Sequence, residues 1–150
     1  MQKIGIAGVL DGFVERKNVC VERHGAFTQS YSNHLNSMAF VTQDGKVAVL
    51  RSARWDTGSE LTYICPDAGS QLSPSPGVAQ SAKGIDGIVR TGKSFKVAIE
   101  LPGGIKIANV DIGELDLSML KDCDAIIGMD IINMGSMSVN GRDRTFSFEI

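Results

Sequence analysis

Apolar residues along this chain fall in short runs, many alternating with polar ones, and few recur at the three-to-four spacing of an amphipathic helix. That pattern predicts strands. Met38 to Val41 and Val47 to Leu50 flank Gln43-Asp44-Gly45-Lys46. Asp-Gly between two apolar runs predicts a hairpin, because the glycine can take the positive φ of a tight turn. Phe95 to Leu101 and Ile105 to Ile112 meet across Pro102-Gly103-Gly104, again a turn by composition. The tail, Thr145-Phe146-Ser147-Phe148-Glu149-Ile150, alternates strictly and places Phe146, Phe148 and Ile150 on one face. Such a strand needs an apolar cover.

Helical signal is sparse. Pro66 to Leu72 predicts one or two turns, with Pro66 early, where its missing N–H costs little, and Ser73-Pro74-Ser75-Pro76-Gly77 follows as loop. A second short helix is predicted from Met129 to about Met134, closed by Gly135. Residues 1–36 hold strand-like pieces, Val19 to Val21 and Ala26 to Tyr31, with little sustained periodicity. The division expected is an N-terminal extension over 1–37 and a main domain over 38–150. No repeat occurs at solenoid periods.

Composition narrows the function classes. A chain of 150 residues can bury one sizeable core. Its net charge of −2 supplies no basic field for nucleic acid or an anionic membrane. No run is long enough to span a bilayer. The apolar stretch Ile4 to Leu10 has only Lys3 before it and Asp11 directly after, a poor secretory signal. Three cysteines, Cys20, Cys65 and Cys123, form no paired framework and suit a reducing compartment, so a cytoplasmic location is expected. Cys20 with His24 is the one metal-like spacing, and two candidates do not make a tetrahedral site. No metal or cofactor is expected. A Cys/His nucleophile pair stays open, since such partners meet only in the fold, although isolated cysteines more often fill cores.

Two motifs carry the chemistry. Trp55-Asp56-Thr57-Gly58-Ser59 follows the first hairpin and sets a carboxylate on a tight turn. Gly58 lets backbone amides approach it, and Thr57 and Ser59 bring hydroxyls. Alone, this is better read as an ordinary Asx-type turn. The second motif is Asp124-Ala125-Ile126-Ile127-Gly128-Met129-Asp130-Ile131-Ile132. An Asp-Thr-Gly-Ser turn followed downstream by two aliphatics and a glycine resembles the retropepsin-like aspartic proteases. Ala98 to Gly104 and the Phe146-Ser147-Phe148 ending look like the small single-domain bacterial members. The resemblance covers about residues 38–150.

The resemblance implies an all-β, retropepsin-like acid protease barrel with one or two short helices, one half of a pepsin-like bilobal architecture. It implies a homodimer cutting a peptide or protein substrate, with Asp56 of each copy forming a dyad. Two close carboxylates share one proton, so one activates water while the other donates to the scissile carbonyl. Thr57 would support the dyad from below, Gly58 would admit the substrate backbone, and Ser59 would hold the outer carboxylate oxygen. Ile126, Ile127 and Gly128 would pack beside the turn. A substrate-covering flap is expected at Lys83 to Val89, with Gly84, Ile85, Asp86 and Gly87 at its tip. In the family the C-terminal strand often pairs between subunits, a role that Phe146, Phe148 and Ile150 suit. Retroviral members usually carry an arginine after the glycine, paired with an acid just past the turn. Met129 stands there, so Glu60 must find another partner or stay solvated. The alternative is a catalytically silent peptide-binding or dimerisation module, or a monomeric scaffold. The intact Asp56-Thr57-Gly58-Ser59 favours the enzyme.

Overall fold

Alternation decides which face of each strand is buried. In the computed structural model, which describes residues 18–31, 38–75, 79–83 and 87–150, the strands are β1 (Cys20–Arg23), β2 (Ala26–Ser30), β3 (Met38–Thr42), β4 (Val47–Leu50), β5 (Ala53–Trp55) and β6 (Tyr63–Ile64). They continue as β7 (Ala79–Lys83), β8 (Val89–Glu100), β9 (Lys106–Glu114), β10 (Ala125–Ile127), β11 (Ser136–Asn140) and β12 (Thr145–Glu149). Two one-turn helices, α1 (Pro66–Gly69) and α2 (Met129–Ile132), complete the elements. Among the described residues the protein is mostly β, with these two short α-helices and a 3-10 turn over Pro102–Gly104. No helix among the described residues is long and apolar enough to cross a membrane.

The larger sheet runs β4-β3-β8-β9-β6-β10-β5, with β1 added on β9 and β7 on β8, and curls into a nearly closed barrel. The predicted hairpins are both present. Met38 and Phe40 of β3 face Leu50 and Ala48 of β4, and all four are buried. The Asp44 turn is tied down by Thr42 Oγ1, which donates to Oδ1 at 2.7 Å, and Ser73 Oγ, which donates to Oδ2 at 2.6 Å. These hydroxyls, Ser73 first, hold the Asp44 carboxyl below its usual range.

In β9 the inward set changes phase, from Ile105 and Ile107 to Val110 and Ile112, all fully buried. A bulge absorbs the change. Val97 pairs with Val110 and Ile99 with Ile107, leaving two residues of β9 opposite one of β8. Asn109 takes φ 62° to close it, a conformation asparagine tolerates better than most side chains.

The helices are shorter than the sequence predicts, because each passes into a tighter turn. After α1, Gln71 and Leu72 donate to the carbonyls of Ala68 and Gly69. After α2, Met134 and Gly135 donate to Ile131 and Ile132. Three-residue bonds of this kind close short helices without a further α turn.

A second sheet runs β11-β12-β2. β12 therefore pairs β2, from the N-terminal segment, as β1 pairs β9. As the alternation requires, Phe146 and Phe148 are buried, and the cover is aromatic. Trp55 lies with its ring centre 5.0 Å from Phe148, 5.5 Å from Phe146 and 5.7 Å from Phe27. Tilted ring pairs at this spacing add to the benefit of burial.

Candidate functional site

β5 and β6 are consecutive in sequence, yet β10 lies between them, parallel to β5 and antiparallel to β6. The chain from Asp56 to Thr62 must therefore cross the end of β10. All three β10 residues, Ala125, Ile126 and Ile127, are buried, as a strand covered on both faces requires. The crossing is tight. A Cβ on Gly128 would sit 2.3 Å from the Leu61 carbonyl oxygen and 2.8 Å from that of Ser59. Glycine stands after the two isoleucines because only a hydrogen fits beneath the loop.

Hydrogen bonds clasp the two motifs. Asp56 N–H donates to the Ile127 carbonyl at 2.9 Å, continuing the β5–β10 ladder. Met129 N–H donates to the Ser59 carbonyl at 2.8 Å and Asp130 N–H to that of Glu60 at 3.1 Å. The first amides of α2, which lack partners inside the helix, are thus met by loop carbonyls. Deeper, Thr62 Oγ1 donates to Asp130 Oδ1 at 2.7 Å, and Thr62 N–H to Oδ2 at 3.0 Å. Gly128 N–H donates to Thr62 Oγ1 at 3.1 Å, and Ile131 N–H to Asp130 Oδ1 at 2.9 Å. Thr62 is 0% exposed and Asp130 4%. A buried carboxylate must be satisfied this fully to be tolerated.

That pair is missing from the sequence reading, although a signal exists: Asp130 is the lone acid in an otherwise apolar run. It does locally what an arginine after the glycine is expected to do, tying α2 to the loop past Asp56. Glu60, left without an ion-pair partner among the described residues, is half-buried, and burial pushes its carboxyl above the ordinary 4.5.

The clasp presents one acid outward. Asp56 is half-buried, while Thr57 and Gly58 are exposed. Gly58 N–H donates to Asp56 Oδ1 at 2.8 Å, and Ser59 N–H closes the turn on the Asp56 carbonyl at 3.1 Å. Oδ2 accepts nothing from the described residues. The carboxylate is oriented through one oxygen and open at the other. The Ser59 hydroxyl, expected at the outer oxygen, donates instead to the Leu61 carbonyl at 2.7 Å. Ile126, Ile127 and Gly128 lie beside the turn.

Of the expected flap, β7 and β8 form a hairpin that closes with Lys83 opposite Val89. Gly87 has φ 79°, and Ile88 and Val89 are exposed. Gly84, Ile85 and Asp86 lie outside the described residues.

Two of the cysteines have local hydrogen-bond partners. Cys65 Sγ accepts the Ala68 N–H at 3.5 Å and caps α1. Cys123 Sγ donates to the Ala125 carbonyl at 3.2 Å, and burial pushes its thiol up. Cys20 and His24 are exposed at β1. No group of three or more His, Cys, Asp or Glu among the described residues is arranged to hold a metal.

Two surface hollows lie apart from the Asp56 turn. One, of about 500 Å³, covers the second sheet along Thr28, Ser138 and Ser147. The other, of about 640 Å³, lies between Val49, α1 and the 116–124 loop. Neither of these two hollows is lined by the Asp56 turn. No protein-family model matches the chain, and no curated protein matches it.

Proposed function

We propose that this chain is one subunit of a homodimeric, retropepsin-like aspartic endopeptidase, with the Asp56 carboxylates of two copies as its dyad. The observation that carries the reading is the Asp56 turn. A half-buried carboxylate accepts Gly58 N–H on one oxygen, accepts nothing from the described residues on the other, and is tied to β10 by a backbone bond of its residue. The chain has a single Asp-Thr-Gly, so a second carboxylate comes from a second copy. A half-site of this kind is open in one chain, which accounts for its separation from both hollows.

With two carboxylates in hydrogen-bonding distance, one proton is shared and the pair titrates as a unit. The ionised member takes a proton from a bound water as that water attacks the scissile carbonyl. The protonated member gives its proton to the carbonyl oxygen. The tetrahedral diol then collapses: the C–N bond breaks and the amine leaves with the proton held by the first carboxyl. The second carboxylate takes back a proton from one diol hydroxyl, restoring the dyad. Gly58, exposed and without a side chain, lets an extended peptide backbone approach. The hairpin of β7 and β8, apolar at Ile88 and Val89, is the element suited to cover the peptide and exclude water.

The test is Asp56→Asn. Cleavage of a peptide library is expected to be lost while the circular-dichroism spectrum and the assembly state are kept, since the amide still accepts the Gly58 N–H. Persistent cleavage would reject the assignment. Wild-type activity should peak at acidic to neutral pH and fall in alkali, where both carboxylates ionise.

A further inference from the structure

A two-copy site needs an edge by which the copies join, and the hydrogen-bond parity of the second sheet leaves one. β12 is closed on both sides, by β2 and by β11. Gly25 and Ile150 exchange reciprocal N–H···O bonds of 3.1 Å, and Tyr31 N–H donates to Arg144 at 3.0 Å. Ile150, Phe148, Phe146 and Arg144 therefore turn their backbone groups toward β2, and Glu149, Ser147 and Thr145 toward β11. Their partners on β11 are Ser136, Ser138 and Asn140. By alternation the N–H and C=O of Met137 and Val139 point out of the sheet, and no described strand receives them. The outer edge of β2 is obstructed at Ala26 by the Pro102–Gly104 turn, where a Cβ on Gly103 would lie 2.2 Å from the Ala26 oxygen.

We infer that β11 is the edge through which a second copy of the chain joins, pairing antiparallel with its own symmetry mate about Ser138. The inference rests on the two-copy reading above. β11 is Ser-Met-Ser-Val-Asn, without charge or proline, and its register with β12 has no break. Free edges of monomers are usually blunted by charge, proline or a bulge. The strand is also self-complementary. Turned about Ser138, Met137 meets the partner's Val139 as a hydrogen-bonded pair and Val139 meets the partner's Met137, giving four backbone bonds. Val139, 62% exposed in one chain, gains an apolar neighbour, and Ser136 falls beside the partner's Asn140. No like charges meet. β11 also stands near the site: Trp55, the residue before Asp56, rests on Phe146 and Phe148 of the adjoining β12. β4 is a second uncharged edge, with Val49 65% exposed, but it borders the hollow walled by α1 and the 116–124 loop.

The axis makes a direct test. Ser138 opposite its mate is a non-hydrogen-bonded pair, with Cα atoms about 4.5 Å apart, inside the span a disulfide bridges. Ser138→Cys in a Cys20→Ser background, mildly oxidised with oxidised glutathione, is expected to run as a disulfide-linked dimer that keeps its cleavage activity. Val139→Asp places two carboxylates across the seam. It is expected to sediment as a folded monomer and to lose more than about 10-fold in specific activity at micromolar concentration, a fold-change equal to 1.4 kcal/mol. Val49→Asp on β4 should change neither. If Ser138→Cys fails to cross-link and Val139→Asp remains a dimer while Asp56→Asn is inactive, the edge is wrong and the dyad stands. Dissociation by Val49→Asp alone would move the seam to β4. Cleavage surviving in Asp56→Asn rejects the dyad whichever edge pairs.

Discussion

Thr62 separates a clasp that positions the Asp56 loop from a residue that merely fills space, so Thr62→Val is the most decisive substitution. Valine reproduces the shape and deletes the hydroxyl. The Oγ1–H bond to the Asp130 carboxylate goes, and a hydrogen bond to a charged group contributes about 1.5–3 kcal/mol. The Gly128 N–H loses its acceptor in a buried position, a cost of about 1–3 kcal/mol. Because Asp130 keeps the amides of Thr62 and Ile131, the lower end of the sum applies, and the expected loss is about 3 kcal/mol. That is a large share of the roughly 5–15 kcal/mol of a typical domain. Thr62→Ser keeps both bonds and removes one buried methyl, for about 1 kcal/mol. Urea unfolding at one fixed protein concentration, with unchanged m-values, measures both. Equal losses for the two variants, or a valine variant within about 0.5 kcal/mol of wild type, would refute the clasp.

Two further outcomes follow from the same region. Gly128→Ala carries no dihedral penalty, since φ is −98°, so its cost is the collision with the Leu61 and Ser59 carbonyls. About 3 kcal/mol, read as a fall of several degrees in Tm, is expected, with activity lost beyond what unfolding explains; an unchanged Tm would contradict the tight crossing. Glu60 has a folded-state pKa raised by burial, so the native state binds its proton more tightly than the unfolded chain does. Stability therefore falls as pH rises from the unfolded value through the folded one, and Glu60→Gln removes that fall. Tm scanned from about pH 4 to 8 should show the variant gaining on wild type toward neutral pH, and parallel curves would disprove it.

Strands and hairpins were legible because short alternating runs and Asp-Gly or Pro-Gly-Gly turns are local signals. The tail strand, with Phe146 and Phe148 buried, is the clearest case. β11 was not legible: Ser-Met-Ser-Val-Asn is exposed over most of its length, so little hydrophobic period marks it, and pairing with β12 alone makes it a strand. The bulge at Asn109 has a local signal that the reading of 105–112 as one run passes over. Large apolar residues fall at 105 and 107, then at 110 and 112, a change of phase across Ala108-Asn109. At the site, the Asp56 turn and the Ile126-Ile127-Gly128 segment stand out as motifs. The Thr62–Asp130 clasp spans 68 positions and has no local signature except an acid where apolar residues surround it. Ser59 shows how far a motif reaches. Its position is given by the sequence, while the direction of its hydroxyl follows from the nearer Leu61 carbonyl.

The chain has one tryptophan, and its indole nitrogen is buried without a hydrogen-bond partner among the described residues. Trp55 is thus a single indole, half-buried and packed against Phe27, Phe146 and Phe148, joined by one peptide bond to Asp56. Indole emission from this protein therefore reports from this one spot. A shift in the loop, or a loosening of the sheet beneath it, would register as a colour change in unlabelled protein, allowing ligand titrations without a substrate.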